Sequence, residues 1–531
     1  MATAEHSVLM ETIAAAVLDG LALSLTPADA DCTGLPAGVV VGVRHDQRGH
    51  MHDGCLTVRD GYGTGRRPRC WERLSWDGST IREGHGVAHD DRDEVIVACL
   101  QDMFADVMRD APDAFRTKFR KMARDPFAFY RGTAVLFFHD LGPSGSFAGS
   151  DDRWMVEHGD RVWIQGDLHA ENFGTYMDAD GRLVFDVNDF DEAYLAPWTW
   201  DLRRFVASLA LLCWQKALPD DVIDDLVDHY VRSYLDQVGH YVDEPDDTEW
   251  ALTLDNADGL VLSTLQQAKL RTRATILDPE TVVENYQRRF AEHSSINHLD
   301  DRERGRVLDA FERYKDTIPP DKRDGRIRFR VLDVARKTGV GIGSAGLPMY
   351  SVLIEGESQA LGNDVVVSVK QANDAALGRI IDDKEITEYF DHHGHRTAVS
   401  QRALQAHADR YLGWTDIDDT GYVVSEYSPY ELDLDWEDLN TPEAMRVVVD
   451  QLGRATAKIH CVADDDSGTD LVTVSVEDVI HDGVHGDADG LVDELTDFAH
   501  SYAEQVRTDH HLFVDAFRTG AFSDVDPVSD H

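Results

Sequence analysis

Residues 164–204 read IQGDLHAENFGTYMDADGRLVFDVNDFDEAYLAPWTWDLRR. Asp167, His169, Asn172, Asp186, Asp189, Asp191 and Asp201 stand here between short apolar runs. Val162–Gln165 and Leu183–Val187 read as strands on either side of the turn Asp178–Gly181, and Asp201 opens a helix. The polar residues therefore fall at strand ends and in the loops that follow, where reactive groups are usually mounted. Carboxylates at this density are hard to explain as packing, because each one buried needs a partner.

The spacing suggests phosphoryl transfer. That reaction needs a carboxylate to orient or deprotonate the acceptor hydroxyl, and oxygen ligands for the magnesium that bridges the phosphates. Asp167 and Asn172 stand five residues apart, as the base and amide ligand do in kinase catalytic loops. Asp189-Phe190-Asp191 follows twenty-two residues after Asp167, where a second magnesium carboxylate is expected.

A nucleotide clamp is found much later. Gly341, Gly343 and Gly346 form a G-x-G-x-x-G, and Pro348 with the strand-like MYSVLIEG follows it. A dinucleotide fingerprint requires a helix at that point, so the motif predicts a glycine-rich hairpin over phosphates. The strand VVVSVK ends in Lys370, at the position of a lysine that contacts α- and β-phosphates. Glu385 and Glu388 are candidates for its acidic partner, whereas the helix just before YLGWT offers Gln401, and the choice stays open.

The rest of the chain sets the bounds. With 531 residues, 42% apolar and including 20 Phe and 10 Trp, it is long enough for two or three cores. Asp and Glu outnumber Lys and Arg 99 to 51, a formal charge of −48. That balance opposes nucleic-acid binding, which needs cations on phosphates, and suits the heavily solvated surface of salt-adapted proteins. The six cysteines are scattered with no C-x-x-C, which predicts neither disulfides nor zinc and points to a reducing compartment. The N-terminus carries Glu5 and Glu11 with no basic leader, and the longest apolar run, Val206–Trp214, is too short to span a bilayer. A cytoplasmic protein without a membrane partner is expected.

Composition divides the chain into four stretches. Residues 1–90 carry no readable chemistry beyond a helix over Glu11–Leu23 and a strand at Gly38–Val43. Residues 91–320 are read as the catalytic part, mostly helical between Asp220 and Tyr314, with Pro319-Pro320 as the boundary. Its block Phe115–Leu141 is basic within an acidic chain; Arg131 beside Gly132 is a candidate anion contact, against the plainer reading of a basic helix face. In that block Pro126 ends a helix, and TAVLFFHD reads as strand or buried helix. Residues 321–440 read as β-rich, with strands at Phe329–Ala335, Met349–Glu355, Asp364–Lys370, Tyr411–Thr415 and Gly421–Tyr427. Residues 441–531 read as helices packing on the catalytic part, the first capped by Thr441 with Pro442 in its first turn.

GDLHAEN, DFDEA and WDL together resemble the aminoglycoside phosphotransferase and choline kinase branch of the protein-kinase-like superfamily. The resemblance implies Asp167 as catalytic base, Asn172 and Asp189 as magnesium ligands, and Asp201 as a buttress of the catalytic loop. DPFAFYRG, GDLHAENFG, FDVNDFDEA and PWTWDLRR are similar to the family called domain of unknown function 2252, a likeness that runs over roughly residues 90–520. The implied fold is α+β and two-lobed. The motif order is reversed from that of ordinary kinases, which implies circular permutation: the catalytic lobe comes first and the β-rich nucleotide lobe follows. LGRATAKIH, on the helix after Thr441, resembles the helix that normally leads into the catalytic loop.

The expected activity is ATP- and magnesium-dependent transfer of phosphate to a hydroxyl of a small-molecule acceptor. His169 is then a residue that orients the loop, with Asp191 and Arg131 in support. Three alternatives stand beside it: a nucleotide-binding pseudokinase, a nucleotidylyl transferase on the same scaffold, and a metal-dependent phosphohydrolase. The last usually needs an earlier D-x-H and a later G-N-H-[DE], neither of which occurs. The acceptor and the oligomeric state cannot be read from the sequence.

Overall fold

The structure is a computed structural model. It describes the backbone of strands Val39–Val43, Leu56–Asp60, Leu74–Trp76 and Ile81–Glu83, and residues 92–525 apart from 144, 150–152, 245, 294, 324–328, 339–345, 466–470 and 523–524. Residues 1–95 and 96–531 form two compact units. In the first, Val39–Val43 pairs antiparallel with Leu56–Asp60, and Leu74–Trp76 with Ile81–Glu83. The expected helix over Glu11–Leu23 lies outside the described residues.

The second unit mixes helices and sheets, as an α+β chain should. Its largest sheet has six antiparallel strands in the order Ile296–His298, Val331–Lys337, Met349–Ile354, Val365–Gln371, Thr420–Glu426, Gly413–Ile417. The central strand Val365–Gln371 reads VVVSVKQ, β-branched and buried on both faces up to its last two residues. Val352, Val367 and Val424 face the helix Asp301–Tyr314 through Val307, Phe311 and Tyr314. On the other side Val423 meets Ala398 of the helix His393–Gln405. Gly394 is required there, because a Cβ would stand 2.4 Å from the carbonyl oxygen of Tyr422.

The sheet reaches back before Pro319-Pro320. The strand Ile296–His298 and the helix Asp301–Tyr314 belong with it, and a hairpin, Thr281–Glu284 with Gln287–Phe290, interrupts the stretch read as helical. Its two-residue turn, Asn285-Tyr286, has both residues at positive φ (50° and 64°), the geometry a tight hairpin demands. Asn is a weaker cue for it without a following glycine, which is why the sequence hid it.

Helices Thr199–Gln215, Asp220–Asp243, Pro442–Cys461 and Ala488–Arg518 pack as a second body. Gly453 lets the third approach the second, since a Cβ would lie 2.4 Å from the Tyr230 carbonyl. Thr441 caps the third helix as expected, accepting from Ala444 N–H at 3.3 Å. TAVLFFHD is buried helix, Ala134–Leu141, and not strand. A three-stranded sheet, Leu432-Asp433 with Phe173–Met177 and Leu183–Val187, lies on the path from the large sheet to this body. No helix among the described residues is long and apolar enough to cross a membrane.

Candidate active site

The strand Val162–Ile164 delivers the loop 165–172, and Asp201 holds that loop in place. Its two carboxylate oxygens accept the backbone N–H groups of Gln165 at 2.7 Å and Gly166 at 2.9 Å. His460 Nε2 lies 3.3 Å from the same carboxylate, and Tyr234 Oη lies 2.9 Å from His460 Nδ1. Gly166 takes φ +81°, and a Cβ on it would stand 2.2 Å from the Glu192 carbonyl oxygen. The loop is thus pinned from below by a buried carboxylate and crossed from above by the DFD segment.

Asp167 stands at the turn of this loop. Its Oδ1 accepts from Arg204 Nε at 2.9 Å and Nη2 at 2.6 Å, and its backbone carbonyl accepts from Asn172 Nδ2 at 2.8 Å. Arg204 stacks 3.7 Å over the Tyr130 ring and donates to the Tyr130 carbonyl at 2.8 Å. Burial raises the Asp167 pKa to about 6, with Arg204 opposing the rise. A carboxylate at that value is a stronger base than an exposed aspartate and is still ionised at neutral pH.

Asp189 has a left-handed backbone, φ 54° and ψ 78°. Gln165 Nε2 bonds its carbonyl at 2.5 Å and that of Asn188 at 3.0 Å. Burial and the neighbouring Asp191 carboxylate raise its pKa. Asp191 in turn accepts from Lys370 Nζ at 2.6 Å. Burial works against the Lys370 ammonium, but Asp191 and Asp189 outweigh it and raise its pKa. Two residues 179 positions apart in the chain are therefore one ion pair, beside Asp189.

The acidic partner of Lys370 is thus Asp191. Glu385 pairs with Arg161, and Gln401 donates to Gln405. The helix His393–Gln405 supplies a cation instead. Arg396 is buried and donates to the carbonyls of Asp191 at 2.7 Å, Ala193 at 2.6 Å and Asn373 at 3.0 Å. It ties the DFD segment to the end of the Lys370 strand. Asp186 is structural: it forms a buried pair with Lys458 at 2.5 Å. Arg131 pairs with Glu171, and its Nε lies 3.4 Å from His169 Nε2. Burial and Arg131 hold His169 well below the usual histidine range, so it is neutral.

A cavity of about 50 Å³ opens among these groups. Asp167, Asp189, Asp191 and Glu192 line it, and Phe104, Lys118, Arg131 and Gly132 form its other wall. Burial raises Glu192 to about 7, while the Ala376 N–H that it accepts pulls it down. Gly346 is in a left-handed turn (φ +85°), and a Cβ there would stand 2.7 Å from Ala111 Cβ, so the end of the glycine motif lies against the helices of that wall. Gly341 and Gly343 lie outside the described residues.

Among the described residues no three His, Cys, Asp or Glu side chains are placed to cage a metal. Asp189 and the Asn172 amide are oxygen donors of the kind Mg²⁺ accepts, and that ion ordinarily takes one or two carboxylates and completes its octahedron with phosphates and water. The donor chemistry fits.

Sequence reasoning reached Lys118 only as one residue of the basic block read as an anion site or a basic helix face, and did not pick out Arg204, Arg396 or Glu192. A signal did exist for Arg204: Arg203-Arg204 are basic residues inside an apolar helix of an acidic chain, where burial demands a partner.

Residues 109–516 match the model of DUF2252, described as an uncharacterized protein conserved in bacteria. The chain belongs to that family. The match covers the loop, the DFD segment, Lys370 and the helix that carries His460. Neither the curated proteins nor the solved structures contain a match to this chain.

Proposed function

We propose that this DUF2252 chain is an ATP- and Mg²⁺-dependent phosphotransferase acting on a hydroxyl of a small-molecule acceptor. In this reading it has a two-lobed, kinase-like architecture in permuted order. The observation that carries it is the Lys370–Asp191 pair at 2.6 Å, which joins the strand Val365–Gln371 to the DFD segment beside the loop 165–172. Asp201, gripping the N–H groups of Gln165 and Gly166 and meeting His460 of LGRATAKIH, supports the buttress role and the permuted connection.

Asp167 accepts the acceptor's proton, and Arg204 orients its carboxylate so that Oδ2 is left toward the cavity. Asn172 and Asp189 would hold the magnesium, which when bound would neutralise phosphate charge. Lys370, oriented by Asp191, contacts the phosphates. Arg396 keeps the DFD segment and the Lys370 strand in register, so that these groups meet one nucleotide.

Saturable Mg·ATP binding, followed by ATP turnover that Asp189→Ala abolishes, is the expected result from a metabolite-wide phosphorylation screen. A chain that binds nucleotide yet turns over nothing would instead be the pseudokinase. The partner of Lys370 favours one second reading. Because Asp191 comes from the DFD segment and not from a helix, the lysine is bound to the metal-side carboxylates, and transfer of the nucleotidyl group on the same scaffold becomes the rival. Product mass separates the two: a gain of one phosphate, or of AMP.

A further inference from the structure

The helical wall of the cavity carries a charge that the loop does not use. Lys118, on the helix Pro112–Met122, keeps only 4% of its surface exposed. Its amine lies 4.1 Å from the Phe104 ring centroid and 5.4 Å from that of Phe115, and no described residue offers it a hydrogen bond or ion pair. A buried ammonium without a partner bears a desolvation penalty that ring contacts return only in part. Burial lowers its pKa to about 8 against the pull of Glu192, Asp167 and Asp189, so the amine is still mostly protonated at neutral pH.

The space it faces has a definite size. One water needs roughly 10–15 Å³ of such volume; a cavity of about 50 Å³ has room for several waters, or for a phosphoryl-sized group. A site walled by Asp167, Asp189, Asp191 and Glu192 repels such a group unless cations oppose them. Of the two cations that line this cavity, Arg131 is paired with Glu171, and Lys118 has no partner among the described residues.

We propose that Lys118 is an oxyanion-binding group, supplied from outside the catalytic loop, that receives a phosphoryl-sized anion in this cavity. The anion is the terminal phosphate of the nucleotide or a phosphate carried by the acceptor. The inference rests on the phosphotransfer reading and adds to it the residue that neutralises the phosphoryl oxygens facing Asp167. Its value in the reaction is that of a fixed positive charge where negative charge collects.

The test uses the full chain, Lys118→Met and Lys118→Arg, titrated calorimetrically with Mg·ADP, with Mg·AMP-PNP, and with inorganic phosphate added to the free protein and to the Mg·ADP complex. Lys118→Met is expected to melt at or above the wild-type temperature, because it removes an unpaired buried charge, and to bind ADP within twofold of wild type. A loss of tenfold or more for AMP-PNP, partly restored in Lys118→Arg, places the nucleotide's terminal phosphate on Lys118. The same loss for inorganic phosphate alone places an acceptor phosphate there. Wild-type affinity of Lys118→Met for all three probes overturns the proposal, as does a lowered melting temperature with loss of ADP, which marks a structural lysine. If the wild type binds phosphate but no nucleotide, the phosphotransfer reading fails, and the phosphate titration of Lys118→Met still decides the subsite. A wild type that binds neither overturns both.

Discussion

The two walls of the cavity are built on opposite principles. On the loop side charged groups have been given partners: Asp167 has Arg204, Asp191 has Lys370, and Glu192 accepts the Ala376 N–H. On the helical side Lys118 lies buried over aromatic rings with no partner among the described residues. Satisfied networks in low dielectric hold one geometry, whereas an unpaired buried charge lowers stability until something binds it. The loop side is held by its own partners, and the helical side carries a charge with no partner among the described residues.

The loop side breaks first in activity. Asp189→Ala is expected to lower ATP turnover on the order of 10³-fold or more, the several kcal/mol that metal-held charge stabilisation supplies. Its melting temperature should be unchanged or higher, because Asp191 and burial already strain that carboxylate. Turnover that survives the substitution, measured with a coupled ADP assay, would remove Asp189 from the reacting core.

Asp167 should control the acid limb of the pH profile. Its folded pKa is raised to about 6, so the carboxylate is ionised and able to accept a proton above that pH and loses this capacity below it. The expected kcat/KM is level near pH 7–8 and falls about tenfold per pH unit below about 6. In Asp167→Asn the activity should drop by about 10²–10⁴-fold and the acid limb should vanish. An unaltered limb in the variant assigns the titration elsewhere.

In stability, the buried pair Asp186–Lys458 makes the contrast with Lys118 sharp. Lys458→Met strands a carboxylate that is 3% exposed, and should cost about 3–5 kcal/mol in chemical denaturation. The double replacement Asp186→Leu with Lys458→Met should recover most of that. Lys118→Met, at an equally buried lysine, should cost nothing. Equal destabilisation by the two lysine substitutions would erase the distinction between the walls.

The smallest effect is expected where the walls meet. Gly346→Ala puts a Cβ into a left-handed turn and within 2.7 Å of Ala111 Cβ, so a loss of about 1–2 kcal/mol is predicted, with a raised KM for ATP. A neutral result would mean that the turn shifts freely and does not close the site.

Different parts of this arrangement were legible to different degrees. The six-stranded sheet was readable because runs such as VVVSVK and MYSVLI declare their period and their β-branched content. Its extension back to Ile296–His298 and the hairpin around Asn285-Tyr286 was not, since three- and four-residue strands carry too little pattern against a helical background. In the site, Asp167, Asn172, Asp189 and Asp201 lie within one stretch at telling spacings, and the structure gathers them about one loop. Arg204 and Lys118 stood out as basic residues but their surroundings did not, and Arg396 gave no sign at all, because the meaning of each lies in what it faces across the fold.

By itself the sequence determined which carboxylates would congregate, because loop length and strand spacing are local properties. Only the tertiary structure decided the pairings: that Lys370 meets Asp191 and not a helical glutamate, that Arg204 grips Asp167, and that Lys118 is left alone. Coulomb attraction and desolvation act through space at a few ångströms, so partners 37 or 179 residues apart are fixed by packing, which no spacing along the chain records.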